Sequence, residues 1–106
     1  PEKMSSGRST RFAKYRIEGI DDLSPASFEA FHFGYDTSIV SQDPDRLVPV
    51  DVMRQLEREQ VIGKLHEYVY ATAGAVTSLE SSKKIGEGIA QQLKKEGVDA
   101  VILTST

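Results

Sequence analysis

The chain has 106 residues and contains neither cysteine nor tryptophan. Without cysteine, these residues form no disulfide, hold no metal through a thiolate and supply no cysteine nucleophile. Histidine is also scarce: only His32 and His66 are present, whereas a zinc site needs three or four ligands at regular spacing. We therefore expect no metal and no cofactor within this segment, and any redox-active group must come from outside it.

Long apolar runs and an excess of basic residues are absent too. No run approaches the ~18 apolar residues that would span a bilayer. The net charge is −3, and the basic residues near the start lie among Ser, Thr and Gly, with few aromatics to stack on bases. The composition predicts a cytoplasmic globular protein with no membrane and no nucleic acid as partner.

The apolar pattern predicts a mixed α/β chain with about three helices. Pro49 opens one helix, with Val52, Met53 and Leu56 as its buried stripe. Isoleucine and leucine recur at every fourth position before Gly97, which predicts a second long helix closed by that glycine. The predicted elements are a strand at 15–20, a short helix at 25–31, the helix from Pro49, a strand at 65–71, a helix at 77–96 and a strand at 100–103.

The last helix, its glycine and the apolar run "AVIL" follow the order typical of a parallel α/β sheet. We therefore interpret residues 1–106 as a single α/β domain fragment with a parallel or mixed sheet, in which residues 1–14 form a flexible arm. Because the chain begins at Pro1 with no initiator Met, we expect it to come from inside a longer protein, with an upstream part before Pro1.

The two histidines and two glycines are open to alternative interpretations. Each histidine is more typical of a partly buried hydrogen-bonding residue than of a catalyst, but His32 lies in a predicted turn beside Tyr35 and Asp36 and is the better functional candidate. Gly86 and Gly88 weaken a helix interior. They indicate either close backbone approach or a loosely packed surface turn.

The chain ends in three small hydroxyl residues, Thr104, Ser105 and Thr106, directly after the predicted strand. In open α/β sheets, ligands bind outside the carboxyl ends of strands. These residues could therefore line a site. A polar strand end with no further role is an equally good interpretation on physical grounds.

Two long stretches, "YDTSIVSQDPDRLVPVDVMRQLEREQVIGKLHEY" and "KKIGEGIAQQLKKEGVDAVILTST", carry a resemblance that covers essentially the whole chain. The chain resembles the selenoprotein subunit of component B of glycine, sarcosine and betaine reductases and, more distantly, D-proline reductase. In that family, selenocysteine directly follows such a strand. The resemblance implies that Thr104, Ser105 and Thr106 position a selenocysteine nucleophile beyond this chain, with His32, Tyr35 and Asp36 on the substrate side.

The resemblance further implies reductive cleavage of the carbon–nitrogen bond of a small amino acid or methylated amine. The selenolate would take up the acid fragment, which passes to the selenoprotein of component A and leaves component C as acetyl phosphate. The implied partners are these components, the other subunits of component B and the small amine substrate, and the fragment alone is expected to be inactive. One departure is Phe33, where the family usually has glycine, so the turn at His32 is expected to differ.

The rival hypothesis is a non-enzymatic α/β interaction module that ends at Thr106. Such a module could form a homo-oligomer through an exposed sheet edge. An in-frame UGA codon after Thr106 in the gene would support the reductase, and an ordinary stop codon would support the module.

Overall fold

The computed structural model describes residues 10–32, 34–72 and 77–105. Phe33, Thr106 and residues 1–9 of the predicted arm lie outside the described residues. In chain order the elements are β1 (Phe12–Arg16), α1 (Ser38–Gln42), a 3₁₀ turn (Pro44–Arg46), α2 (Val50–Arg58), β2 (Tyr68–Thr72) and α3 (Leu79–Lys95).

The chain divides into two compact units, each built from two segments. The sheet unit comprises residues 1–17 and 66–101 and contains β1, β2 and α3. The helical unit comprises residues 18–65 and 102–106 and contains α1, the 3₁₀ turn and α2. The single-domain interpretation stays a prediction.

In the sheet unit, β1 and β2 pair antiparallel, with Phe12 opposite Thr72 and Arg16 opposite Tyr68. The pairing continues beyond β1, because the N–H of Ile17 donates to the carbonyl of Glu67 at 2.7 Å. Ile17 is almost fully buried and forms part of the core. The predicted mixed α/β class with about three helices is confirmed, and the strand pair described here runs antiparallel.

Helix α3 is fixed at both ends by local signals. Ser78 caps its start by accepting the N–H of Ser81 at 3.1 Å, and Ile85 lies buried on its inner face. At its end Gly97 has a φ of +74°, and the N–H of Val98 donates to the carbonyl of Leu93 at 3.0 Å. This is a Schellman termination, as the glycine after the apolar stripe predicted.

The core of the helical unit gathers around Asp45, which is only 8% exposed. Its Oδ2 accepts the N–H of Leu23 at 2.7 Å, and its Oδ1 accepts the N–H of Asp51 at 3.0 Å. Leu23 and Val50 are the buried hydrophobic residues among those described in this unit. Asp45 thereby satisfies a donor in the loop before α1 and one of the orphan donors in the first turn of α2.

Helix α2 confirms the prediction from Pro49, with one difference in its buried stripe. Val50 is buried, Met53 and Leu56 are half-buried, and Val52 is half exposed. Gln60 lies two residues after the last residue of α2, and its φ of +60° is unusual for a residue other than glycine. The N–H of Val61 donates to the carbonyl of Leu56 at 3.0 Å, so Gln60 holds the left-handed position of a Schellman cap.

Two predicted elements were wrong. Residues 25–31 form only a turn, in which the N–H of Phe28 donates to the carbonyl of Ser24 at 2.9 Å, and Phe31 is 87% exposed. The helix-start signature lacks the apolar stripe that would hold a helix against a core. The run at 100–103 is not a strand: it has no ladder partner among the described residues, and Leu103 is 90% exposed.

The first strand also differs from its prediction. It begins at Phe12, so residues 12–14 of the predicted arm belong to β1. Pairing with β2 overrides the loop-like composition of this stretch. Across the described ranges, no helix has the length and apolar character needed to cross a bilayer.

Candidate functional site

A cleft of about 480 Å³ lies in the helical unit, and we name it the His32 cleft. It is lined by the apolar side chains of Val40 and Leu47 and by His32, Gly34, Tyr35, Arg46 and Ser105. Three residues singled out from the sequence, His32, Tyr35 and Ser105, therefore line one cavity. The loop before α1, the 3₁₀ turn and the last described residue supply its polar groups.

The His32 ring is held by the backbone two residues further on. The N–H of Gly34 donates to Nδ1 of His32 at 2.8 Å. Because Nδ1 is the acceptor, a neutral His32 carries its proton on Nε2. Nε2 is therefore a hydrogen-bond donor in the neutral side chain.

Gly34 allows this arrangement because it has no side chain. A Cβ at this position would lie 2.7 Å from Cε1 of His32, closer than real Cβ contacts. The His32 and Tyr35 rings lie 5.0 Å apart between centroids, at a tilt of 44°. Glycine at position 34 is therefore needed for the observed ring position.

The hydroxyl oxygen of Tyr35 is buried and has no hydrogen-bond partner among the described residues. Leaving a buried hydroxyl unpaired costs about 1–3 kcal/mol, so such atoms are uncommon in folded proteins. Tyr35 is one of the residues that line the cleft, so its phenol is a second hydrogen-bonding group at this site.

Arg46 brings a permanent positive charge to the cleft. Its Nε lies 3.4 Å from Oδ2 of Asp43, in a pair whose side chains are 66% and 51% exposed. Exposed pairs of this kind contribute little to stability. The guanidinium is therefore accessible, while its neighbour Asp45 anchors the turn that carries it.

Asp36 and Thr104 are predicted site residues that do not line the cleft. Asp36 accepts the N–H of Ser38 at 2.9 Å, and this hydrogen bond lowers the pKa of the Asp36 carboxyl. That contact is a local turn just before α1. Thr104 is exposed and outside the cleft lining, and Thr106 lies outside the described residues.

Sequence reasoning did not single out Arg46. The sequence signal that could have found it is a basic residue at the end of a proline-containing turn motif, "DPDR". It also missed the role of Asp45. Side chains of aspartate in turns usually bond locally, whereas this one accepts an N–H from Leu23.

A second polar cluster surrounds Glu96 in the sheet unit. Its carboxylate accepts hydrogen bonds from Lys14, from Gln92 at 2.5 Å, from Tyr70 at 2.7 Å and from Nε2 of His66 at 2.7 Å. The interpretation of His66 as a hydrogen-bonding residue is confirmed.

Ionic and hydrogen-bond contacts shift the protonation of this cluster. The bond from Lys14 is the main cause that holds the pKa of Glu96 far below its usual range, and the same bond raises the pKa of Lys14. Burial raises the pKa of Tyr70. With every donor engaged on one carboxylate, the cluster fastens the end of α3 to the β-strands and is structural.

Chemically, the His32 cleft combines an imidazole N–H, a phenol, a cation and a hydroxyl with a small apolar wall. This set can bind a small anionic or zwitterionic molecule through hydrogen bonds and charge. No three of the His, Asp and Glu residues that the structure describes come together as metal ligands.

Comparison with known proteins gives one family. The profile of "Glycine/sarcosine/betaine reductase selenoprotein B (GRDB)" matches residues 1–106. No solved structure matches the chain.

Curated relatives agree with the profile over the whole chain. The identity is 51% to a glycine reductase complex component B subunit gamma from Carboxydothermus hydrogenoformans, over 100% of this chain and 24% of the relative. It is 46% to the sarcosine reductase and 37% to the betaine reductase component B subunit beta of Peptoclostridium acidaminophilum, with the same coverage. D-proline reductase is a more distant relative, as the sequence predicted.

The chain spans about a quarter of the length of these relatives. The family profile covers the whole chain, including both of the stretches quoted above. The chain belongs to the glycine/sarcosine/betaine reductase selenoprotein B family.

Proposed function

We propose that this chain forms part of the substrate-specific subunit of a glycine, sarcosine or betaine reductase complex, and that the His32 cleft is the substrate side of its active site. The complex cleaves the carbon–nitrogen bond of its substrate with two electrons, and its partner components convert the acid fragment to acetyl phosphate. The observation that carries this proposal is that Ser105 lines the same cleft as His32 and Tyr35.

Selenocysteine is proposed to follow Thr106 in the complete subunit. The word selenoprotein in the family description supports this. A selenol supplies a nucleophile that is already ionised at neutral pH, where a thiol with a pKa of ~8.5 is mostly protonated. Sequencing the gene tests the assignment: a UGA codon after Thr106 supports it, and a sense codon for another residue contradicts it.

His32 is proposed to donate a hydrogen bond to the bound substrate. Neutral His32 carries its proton on Nε2, because Nδ1 accepts the N–H of Gly34, and a neutral imidazole donates a hydrogen bond but is too weak an acid to give up that proton. Val40 and Leu47 give the cleft an apolar wall beside this donor. Ser105, which also lines the cleft, lies two positions before the proposed selenocysteine.

The test is an activity assay on a component B complex whose selenoprotein subunit carries these residues. Glycine, sarcosine and betaine are each supplied with the other components and a reductant, and the released ammonia, methylamine or trimethylamine is measured together with acetyl phosphate. Release of amine and acetyl phosphate in equal amounts from one of them supports the proposal. No amine from any of the three would contradict it and leave the interaction module standing.

His32→Gln and His66→Gln form a matched pair for the hydrogen-bond role of His32. Loss of one positioned hydrogen-bond donor to the reacting substrate lowers kcat by about 10²- to 10³-fold, so His32→Gln should lower kcat by that much. His66 bonds Glu96 in the other unit, so His66→Gln should keep its kcat and lose only stability. Equal kcat values for the two variants would remove His32 from the mechanism.

A further inference from the structure

The His32 cleft contains a cation and a phenol that the proposed role of His32 does not use. Arg46 lines the cleft with its side chain 66% exposed, and Tyr35 lines it with its hydroxyl buried and without a partner among the described residues. Both groups can donate hydrogen bonds to an anion. We infer that Arg46 and Tyr35 recognise the carboxylate of the substrate.

This inference rests on the proposed function, because it names the substrate group that the proposed site would grip. Glycine, sarcosine and betaine, which the relatives' names specify, differ only in the methyl groups on nitrogen. All three keep a carboxylate one carbon away. A group that binds the part common to these three molecules would therefore act on the carboxylate end.

The guanidinium suits this role in charge and in geometry. Arginine stays charged at all accessible pH values and presents a planar fork of donors that matches a carboxylate. Its present partner, Asp43, lies 3.4 Å away in an exposed pair, which is weak enough for a second carboxylate to compete with it. The other face of Arg46 is open to the cleft that Ser105 also lines.

Asp45 makes the Arg46 position rigid. Its buried carboxylate accepts backbone N–H groups from Leu23 and Asp51, on both sides of the 3₁₀ turn that carries Arg46. A cation on a fixed turn loses less conformational freedom on binding than one on a loose loop. The adjacent acidic side chain is thus fully engaged with the backbone and does not compete for the guanidinium.

The first experiment measures binding without turnover. Saturation-transfer NMR on the complete subunit uses acetate as the charged probe and acetamide as its uncharged analogue of the same shape. We expect acetate to bind the wild type and to lose about ten- to hundredfold in affinity in Arg46→Gln, the usual worth of a charge-assisted hydrogen-bonded pair. Acetamide binding should not change. Undiminished acetate binding in Arg46→Gln overturns the inference.

Arg58→Gln is the matched control. Arg58 is similarly exposed at 62%, forms an equally loose pair with Asp21 at 3.5 Å, and does not line the cleft. Acetate should bind this variant as it binds the wild type. An equal loss in Arg58→Gln and Arg46→Gln would mean that general charge, not a site, attracts acetate, and would overturn the inference.

Tyr35→Phe separates binding from folding. Deleting an unpaired buried hydroxyl should leave the stability of the free protein unchanged or higher, whereas it should lower acetate affinity severalfold. If Tyr35 had only a structural role, its replacement by Phe would not lower acetate affinity while stability stayed the same or rose. Unchanged acetate affinity in Tyr35→Phe removes Tyr35 from the site.

The second experiment measures turnover in the assembled complex. Arg46→Gln should raise KM about ten- to hundredfold, and Arg46→Lys should lie between it and the wild type because lysine keeps the charge but loses the fork. If the complex is active and Arg46→Gln has the same KM as the wild type, the inference is overturned but the proposed function stands. A complex with no activity refutes the proposed function, and the acetate titration still decides on Arg46.

Discussion

The carboxylate of Asp45 accepts the backbone N–H of Leu23 at 2.7 Å, and both residues are buried. The same side chain accepts the N–H of Asp51. One aspartate thus ties the loop before α1 to the start of α2, on either side of the turn that holds Arg46.

Asp45→Asn should lower the free energy of unfolding by about 2–3 kcal/mol. The asparagine NH₂ group cannot accept a hydrogen bond, so one of the two backbone N–H groups that Asp45 binds would lose its acceptor. Asp43→Asn is the matched control: that carboxylate is 51% exposed and only meets Arg46, so the change should stay within about 0.5 kcal/mol. Urea denaturation measures both. Equal effects would mean that the buried bonds of Asp45 carry no stability.

Glu96 predicts a pH dependence of stability in the sheet unit. Its hydrogen bonds, from Lys14 above all, lower the pKa of the folded state below the usual 4.5, so the unfolded state binds more protons at acidic pH. The stabilisation is complete above the usual value and is lost as the pH falls toward the folded pKa. Glu96→Gln should therefore lose less stability than the wild type between pH ~7 and pH ~3.

Urea midpoints at both pH values measure this difference. Glu80→Gln is the control, because Glu80 bonds only the exposed Lys84 in α3 and its replacement should leave the acid sensitivity as in the wild type. If Glu96→Gln and the wild type lost equal stability on acidification, the cluster would not be coupled to folding.

Gly86 and Gly88 lie on α3, but only one of them faces a neighbour. A Cβ on Gly88 would meet Cε1 of Phe12 at 2.9 Å, whereas nothing lies within 4 Å of a Cβ on Gly86. Alanine favours a helix by up to ~1 kcal/mol over glycine, so Gly86→Ala should raise the stability. Gly88→Ala should be less stable than Gly86→Ala by about 1 kcal/mol or more, because the Phe12 ring must move. Thermal unfolding of the pair decides between the two alternatives that the sequence left open.

The two Schellman caps carry different residues at the same left-handed position. Gly97 at the end of α3 adopts φ +74° without strain, whereas Gln60 at the end of α2 adopts φ +60° with a side chain. Gln60→Gly should raise the free energy of unfolding by about 1 kcal/mol, and Gly97→Ala should lower it by a similar amount. Chemical denaturation measures both, and changes of the same sign would contradict the cap assignment.

Gly34→Ala tests the position of the His32 ring. The new Cβ would lie 2.7 Å from Cε1 of His32, so the ring must leave its hydrogen bond with the N–H of position 34. We expect the ¹⁵N chemical shifts of the His32 ring to show a mixture of tautomers in place of the Nε2–H form. His66 serves as the internal control, since its Glu96 contact is not affected. An unchanged His32 signal would show that Gly34 does not hold the ring.

Helices α2 and α3 were predictable because local signals agreed with the apolar stripe. Pro49 before Val50 and Gly97 after Lys95 mark their ends, and Ile85 is buried as the spacing required. The prediction of a helix at 25–31 was wrong because the capping signature was not accompanied by an apolar stripe. A strand at 100–103 failed because pairing needs a neighbour, which no local pattern supplies.

The site was partly predictable for the same reason. His32, Tyr35 and Ser105 were found from residue type and position, and the cleft brings them together. Arg46 was missed, because its role depends on contacts between segments far apart in sequence, and Asp36 was included although it bonds only Ser38. The sequence shows which residues carry reactive or charged groups, but it does not show which of them lie close together in the fold.

The exposed side chains of Val101, Ile102 and Leu103 have a cellular consequence. Chaperones bind short, extended apolar segments that are exposed to water, and copies of the same chain can associate through such segments. In the cell, a chain with this stretch uncovered would self-associate until another surface covers it.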